Sequence, residues 1–206
     1  KNGIRVIMDV VYNHTATWEN HPFTRTVPDY YYRQNADGSY SNASGCGNET
    51  ASERPMVRKY IVESLKYWVK EYHVDGFRFD LMAIHDITTM NEIRKAMDEI
   101  DPTIFIYGEG WTAGDSPLPY EERAVKQHVG RMPGIAVFSD DIRDALKGSW
   151  ANAKEPAFAA GYQGYDETIK FSVVASTEHD SIHYGLVKYV NFPYAAQPSQ
   201  VINYVS

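Results

Sequence analysis

Ile4-Arg5-Val6-Ile7-Met8-Asp9-Val10-Val11 is a nearly unbroken run of β-branched and other apolar residues. It reads as a strand buried on both faces, as in a parallel sheet covered by helices on either side. A polar stretch rich in Tyr, Asn, Ser and Gly runs from Tyr12 to Ser52. It is too long for a plain connection, and loops of that length are usually functional. From Pro55 to Tyr72 the apolar residues Val57, Ile61, Leu65, Trp68 and Tyr72 recur at helical steps, and Pro55 suits a first turn. Gly76-Phe77-Arg78-Phe79 is a second strand. Ile87, Met90, Ile93, Met97 and Ile100 mark a helix stopped at Asp101-Pro102. Ile104 to Tyr107 and Ile135 to Phe138 are further strands, with a Gly/Pro-punctuated loop from Gly108 to Gly134 between them. Asp140 reads as the N-cap of a helix ending at Gly148, and a loop then reaches Asp166. A helix over Ile169 to Ser176 and a fifth strand over Val201 to Val205 complete the pattern. This alternation predicts a parallel α/β sheet or barrel. A doubly wound sheet would carry a glycine-rich phosphate turn after its first strand, and none follows Val11.

Composition narrows the function. The 206 residues carry 20 Lys and Arg against 27 Asp and Glu, a net charge of −7, which disfavours a nucleic-acid partner. No apolar run approaches the roughly 20 residues of a membrane span. The start, Lys1-Asn2-Gly3-Ile4, is neither a signal nor a transit peptide, and the compartment is not readable. Cys46 is the only cysteine, so neither an internal disulfide nor a Cys-based zinc site is available. The 16 Tyr suit surfaces that are half apolar and half wet, sugar sites among them.

The chemistry-bearing residues stand at strand ends. Asp9, Tyr12, Asn13 and His14 close the first strand, Asp80 follows the second, Glu109 the third and Asp140 the fourth. In a parallel barrel these ends share the rim that carries the reaction. Asp80 and Glu109 are 29 residues apart, about one strand–helix–strand unit, so their carboxyl groups should converge. Convergent carboxylates about 5 Å apart are the equipment of a retaining glycosidase. Acids at strand ends also cap helices or pair with arginines, and several such ends together weigh against that plainer reading. Arg78 lies two residues before Asp80 on the same side of a strand, placed to hold it ionised. Tyr107 and Trp111 flank Glu109 and would supply apolar surroundings that keep it protonated as an acid.

Three stretches resemble the α-amylase superfamily of glycoside hydrolases: Asp9-Val10-Val11-Tyr12-Asn13-His14, Gly76-Phe77-Arg78-Phe79-Asp80 and Tyr107-Gly108-Glu109-Gly110-Trp111. The last stretch, with 45–54 and Phe171-Ser172-Val173-Val174-Ala175-Ser176, is most similar to type I pullulanases, the debranching enzymes. The resemblance implies an α/β fold of the eight-stranded TIM type, incomplete here, with about strands 3 to 7 in one partial catalytic domain over residues 1–206. It implies Asp80 as nucleophile and Glu109 as general acid/base. Arg78 and His14 would hold Asp80 and the sugar, Asp9 would brace the cluster, and Trp111 would line the acceptor side. Tyr107 and Leu81 join them as substrate-binding positions. It further implies a His-Asp pair in the segment after Ser206, so that the 206 residues alone would be inactive and poorly stable. The partner is an α-glucan, with other barrel segments or a second copy over the open sheet edges. No cofactor is required; Asp140, Asp141, Asp144 and Asn13 are the candidate calcium ligands.

Other readings compete. His179 and His183 stand four apart like a helical zinc motif, but Asp180 replaces the general-base Glu. His14 and His21 make a still poorer metal pair. Asn42-Ala43-Ser44 and Asn48-Glu49-Thr50 match the glycosylation pattern and read as loop polar residues, with Asn48 near substrate. A glucan-binding module without hydrolysis would not need both Asp80 and Glu109. Within the superfamily, α-1,4 cleavage is the runner-up to α-1,6, decided by loops over 112–133 and 148–165.

Overall fold

The computed structural model describes residues 3–149, 154 and 156–205. They fall into two compact units, 1–126 and 127–206.

The first unit contains β1 (Ile7–Val10), α1 (Pro22–Thr26), α2 (Pro55–Tyr72), β2 (Gly76–Phe79), α3 (Ile87–Asp98) and β3 (Phe105–Gly108). Its strands pair in parallel and in chain order, with Asp9 opposite Arg78 and Arg78 opposite Tyr107. Period-two alternation gives the sheet two unlike faces. Val10, Phe77, Phe79 and Ile106 are buried on one, where each apolar side chain contributes about 1.5–3 kcal/mol. The other carries Asp9, Arg78 and Tyr107 in one row. The first strand is therefore not buried on both faces as expected. It pairs only with β2 among the described residues, and Ile4, Val6 and Val11 are exposed.

Helix α2 spans the expected residues, with Pro55 in its first turn. Its buried line runs Val57, Ile61, Leu65, Val69. Trp68 and Tyr72 instead meet as tilted rings, centroids 4.8 Å apart, toward solvent, because their size and polar tips suit a wet margin. Helix α3 is capped by Asp86, whose Oδ1 accepts from the Thr89 N–H at 2.8 Å. Burial works against the Asp86 charge, but hydrogen bonds from Thr89 and Ser52 and the nearby Arg58 outweigh it and lower its pKa.

The second unit contains β4 (Ala136–Ser139), α4 (Asp140–Lys147), α5 (Asp166–Val173) and β5 (Val201–Asn203), its strands again parallel. The N-cap of α4 is Ser139 rather than Asp140, its hydroxyl accepting from the Ile142 N–H at 3.4 Å; Asp140 opens the first turn, where an acid favours the helix dipole. Helix α5 begins three residues earlier than expected, its first turn holding Asp166 and Glu167. The loop over 148–165 lies partly outside the described residues.

Candidate active site

The polar row on the first unit's sheet is the base of the site. Two residues beyond Arg78 and Tyr107 the strands release Asp80 and Glu109 on the same face. Arg78 gathers the acids. Its Nη1 donates to Asp9 Oδ1 at 3.0 Å and to Asp80 Oδ1 at 3.1 Å, and its Nη2 pairs with Glu109 Oε1 at 2.7 Å. Partial burial works against the guanidinium's charge, yet Glu109, Asp9 and Asp80 prevail and raise its pKa further. One rigid fork thus fixes two carboxylates from successive strands in one small volume.

The remaining oxygens are also held. Glu109 Oε2 accepts the Leu81 N–H at 3.0 Å. Leu81 presents that N–H from a left-handed backbone, φ 40° and ψ 51°, an uncommon conformation for a bulky residue. Its contribution here is the main chain. Asp80 Oδ2 accepts from Asn13 Nδ2 at 2.9 Å. Asn13 Oδ1 lies 2.5 Å from His14 Nδ1, so His14 joins the cluster through Asn13. Tyr107 stacks on Phe105 at 5.0 Å, and Glu109 has Arg78 and Leu81 as partners where apolar surroundings were expected. Trp111 is half-buried, and the segment after it is tied down where Ala113 and Gly114 donate to the Ala43 carbonyl.

Gly108 and Gly110 flank Glu109 for steric reasons. A Cβ on Gly108 would stand 2.7 Å from the Phe79 carbonyl oxygen; one on Gly110 would stand 2.6 Å from Lys126 N. The backbone carrying the acid is thereby clamped between β2 and the 126 segment.

The loop over 12–52 is organised by a buried ion pair. Arg33 Nε and Nη2 form a fork on Glu53 at 3.2 and 2.7 Å. Nη1 reaches Glu49 at 2.8 Å and Ser116 at 3.1 Å, and Nη2 also reaches the Ile84 carbonyl at 3.1 Å. All five N–H groups of the guanidinium are used. Burial acts against its charge, and Glu53 and Glu49 outweigh it to raise the pKa. Asn48 is buried and pairs with the Thr15 main chain through both amide atoms, so it braces the loop and does not face a substrate. Asn13, a calcium candidate from sequence, instead pairs with Asp80 and His14, and Arg33 and Glu49 hold the loop at positions that sequence reading did not assign.

The candidate metal residues do not assemble. Among the described residues no group of three His, Cys, Asp or Glu side chains is placed to hold a metal ion. His179 and His183 lie in a turn rather than on a helix, with His179 Nδ1 accepting from the Ser181 N–H. Asp141 accepts from the buried Tyr194 hydroxyl, and Asp144 pairs with Arg143. A cavity of about 380 Å³ lined by Val69, His73, Asp75 and Ile104 opens where β2 and β3 begin, at the opposite strand ends from the acids, and has no part in the site.

Parallel strands alternating with helices, and paired acids at strand carboxyl ends, define the α/β class whose chemistry sits on that rim. No family model matches the chain. It is 41% identical over its whole length to the pullulanase of Bacillus subtilis (strain 168), of which it covers 27%. The crystal structure of the pullulanase from Paenibacillus barengoltzii with maltohexaose and alpha-cyclodextrin is 47% identical and shares the fold over 99% of this chain and 30% of that one, TM-score 0.89. The type I pullulanase from Bacillus subtilis complexed with maltose gives 41% identity and a TM-score of 0.90 over 99% of this chain and 27% of that one. The chain is a homologue of the pullulanases, and it spans 27% and 15% of the length of the first two curated relatives it matches.

Proposed function

We propose that this chain carries the cleavage centre of a pullulanase-type enzyme that hydrolyses α-1,6 branch linkages in pullulan, starch or glycogen-derived glucans with retention of configuration. Residues 1–206 then belong to a single catalytic barrel domain, and the activity is a property of the complete protein. The observation that carries the reading is the gathering of Asp80 and Glu109 on one guanidinium.

Asp80 is the nucleophile: its carboxylate attacks the anomeric carbon while Glu109 gives a proton to the leaving glycosidic oxygen. Water then attacks the anomeric carbon of the glycosyl-Asp80 ester, Glu109 takes a proton from that water, and the Asp80 carboxylate leaves. Arg78 and Leu81 each occupy one lone pair of Glu109, one on each oxygen, which leaves a second site on each oxygen for the proton that passes to the leaving group. Arg78 holds the attacking carboxylate, and Asp9 braces Arg78 from its exposed side. His14 and Tyr107 line the cleavage subsite, Trp111 the acceptor side, and Leu81 fixes Glu109. Support for the glucan comes from relatives crystallised with maltohexaose and with maltose.

Product analysis on pullulan by the full-length protein tests the bond assignment. Maltotriose is expected; panose or isopanose would point to α-1,4 cleavage. Asp80→Asn is expected to abolish hydrolysis while glucan affinity persists. Unchanged turnover would remove Asp80 from its role.

A further inference from the structure

Asn13 is fully buried beside the acids, and its partners dictate which way its amide points. Nδ2 lies 2.7 Å from the Asp80 carbonyl oxygen and 2.9 Å from Asp80 Oδ2. A carbonyl and a carboxylate paired with Arg78 offer acceptors, so the NH₂ end must face them. Oδ1, an acceptor with no proton, is then the atom 2.5 Å from His14 Nδ1. That contact requires the proton on Nδ1 and leaves the Nε2 lone pair of a neutral ring free. The Asn13 carbonyl accepts the Thr50 N–H at 2.8 Å, which pins the main chain beneath. Asp80 is gripped from two sides, Oδ1 by Arg78 and Oδ2 by Asn13, so its carboxylate cannot rotate without losing a partner.

We propose that Asn13 is a positioning residue with two linked tasks: it aims the Asp80 carboxylate, and it locks His14 in the Nδ1–H tautomer. His14 therefore meets the sugar as an acceptor, and the sugar hydroxyl donates to Nε2. The kinetic half of this proposal rests on the reading of Asp80 as nucleophile; the tautomer half does not.

The test uses the full-length protein labelled with ¹⁵N-histidine. Long-range ¹H–¹⁵N correlation spectra distinguish the two neutral tautomers, and His14→Gln assigns the His14 signals. The Nδ1–H pattern is expected for His14 in the parent protein, with a change to Nε2–H or a mixture in Asn13→Ala while the other histidines keep their signals. In the same variant kcat/KM on pullulan should fall on the order of 10- to 100-fold, mostly in kcat, for loss of hydrogen bonds to a charged group. An Nε2–H tautomer in the parent protein overturns the proposal with no variant needed, and so does parent-like turnover in Asn13→Ala. Hydrolysis surviving in Asp80→Asn would overturn the functional reading instead and leave the tautomer to be judged on the spectrum alone.

Discussion

Gly110→Ala adds one methyl group next to the acid and should cost most of the activity. A Cβ there would lie 2.6 Å from Lys126 N, 2.8 Å from Lys126 Cβ and 2.9 Å from Lys126 Cα. Comfortable carbon contacts are about 3.5–4.0 Å, so the two segments must part by on the order of 1 Å. The obstacle is main chain, and the Lys126 N–H is bonded to the Gly110 carbonyl at 3.0 Å, so no flexible side-chain tip can swing away. Glu109 precedes Gly110 directly and inherits the displacement. Overpacking of this kind costs about 1–3 kcal/mol of stability. A misplacement of about 1 Å at a reacting group costs on the order of 10²-fold in rate. The assay is kcat and KM on pullulan by reducing-end release, with thermal unfolding of the same preparations. Gly185→Ala is the control, since no atom lies within 4 Å of its added Cβ. We expect kcat to fall about 100-fold in Gly110→Ala with KM little changed, and Gly185→Ala to match the parent protein. A Gly110→Ala protein with parent kcat and parent unfolding temperature would refute the claim that this clamp positions Glu109.

Arg78→Lys should lower kcat/KM on the order of 10²–10³-fold in steady-state assays, because one ammonium cannot serve acids spread over two Nη atoms. Arg33→Ala leaves Glu49 buried without its cation and should cost about 3–5 kcal/mol in urea unfolding, with faster hydrogen exchange over 43–53. Burial lowers the His85 pKa from 6.5 to about 4, with Asp86 and Asp80 pulling it up and Arg33 pushing it down. Between those values the unfolded chain binds a proton that the folded chain refuses. Stability should therefore drop as pH falls from about 6.5 to about 4, by about 1.4 kcal/mol per pH unit, and this loss should stop below that. His85→Phe should flatten that window in urea midpoints measured against pH.

Strand and helix order was legible because hydrophobic period is a local signal: α2 falls on its expected residues, and β2 does too. The convergence of Asp80 and Glu109 was legible because two residues per pleat repeat fixes which face each leaves. Burial was read less well. The run over 4–11 looks buried from composition alone, yet exposure is decided by which neighbours cover it, and those are not written in the run itself. Arg33 could not be found by pattern, since its partners lie at 49, 53, 84 and 116 in no fixed spacing. Asn13 stands within Asp9-Val10-Val11-Tyr12-Asn13-His14, one of the stretches that carry the resemblance. Its task depends on amide orientation, which only three-dimensional partners determine.

The Arg33 cluster has a consequence for how the chain is made. Its Ser116 contact spans 83 residues and its Ile84 contact spans 51. A nascent polypeptide emerging from the ribosome exposes Arg33, Glu49 and Glu53 long before Ser116 exists outside the exit tunnel, so the ion pair lacks its Ser116 partner through most of this unit's synthesis. The Arg33 cluster is therefore among the last parts of the unit to be completed, and a translational pause placed before Ser116 would leave the loop over 12–52 more open to proteolysis than in the finished unit.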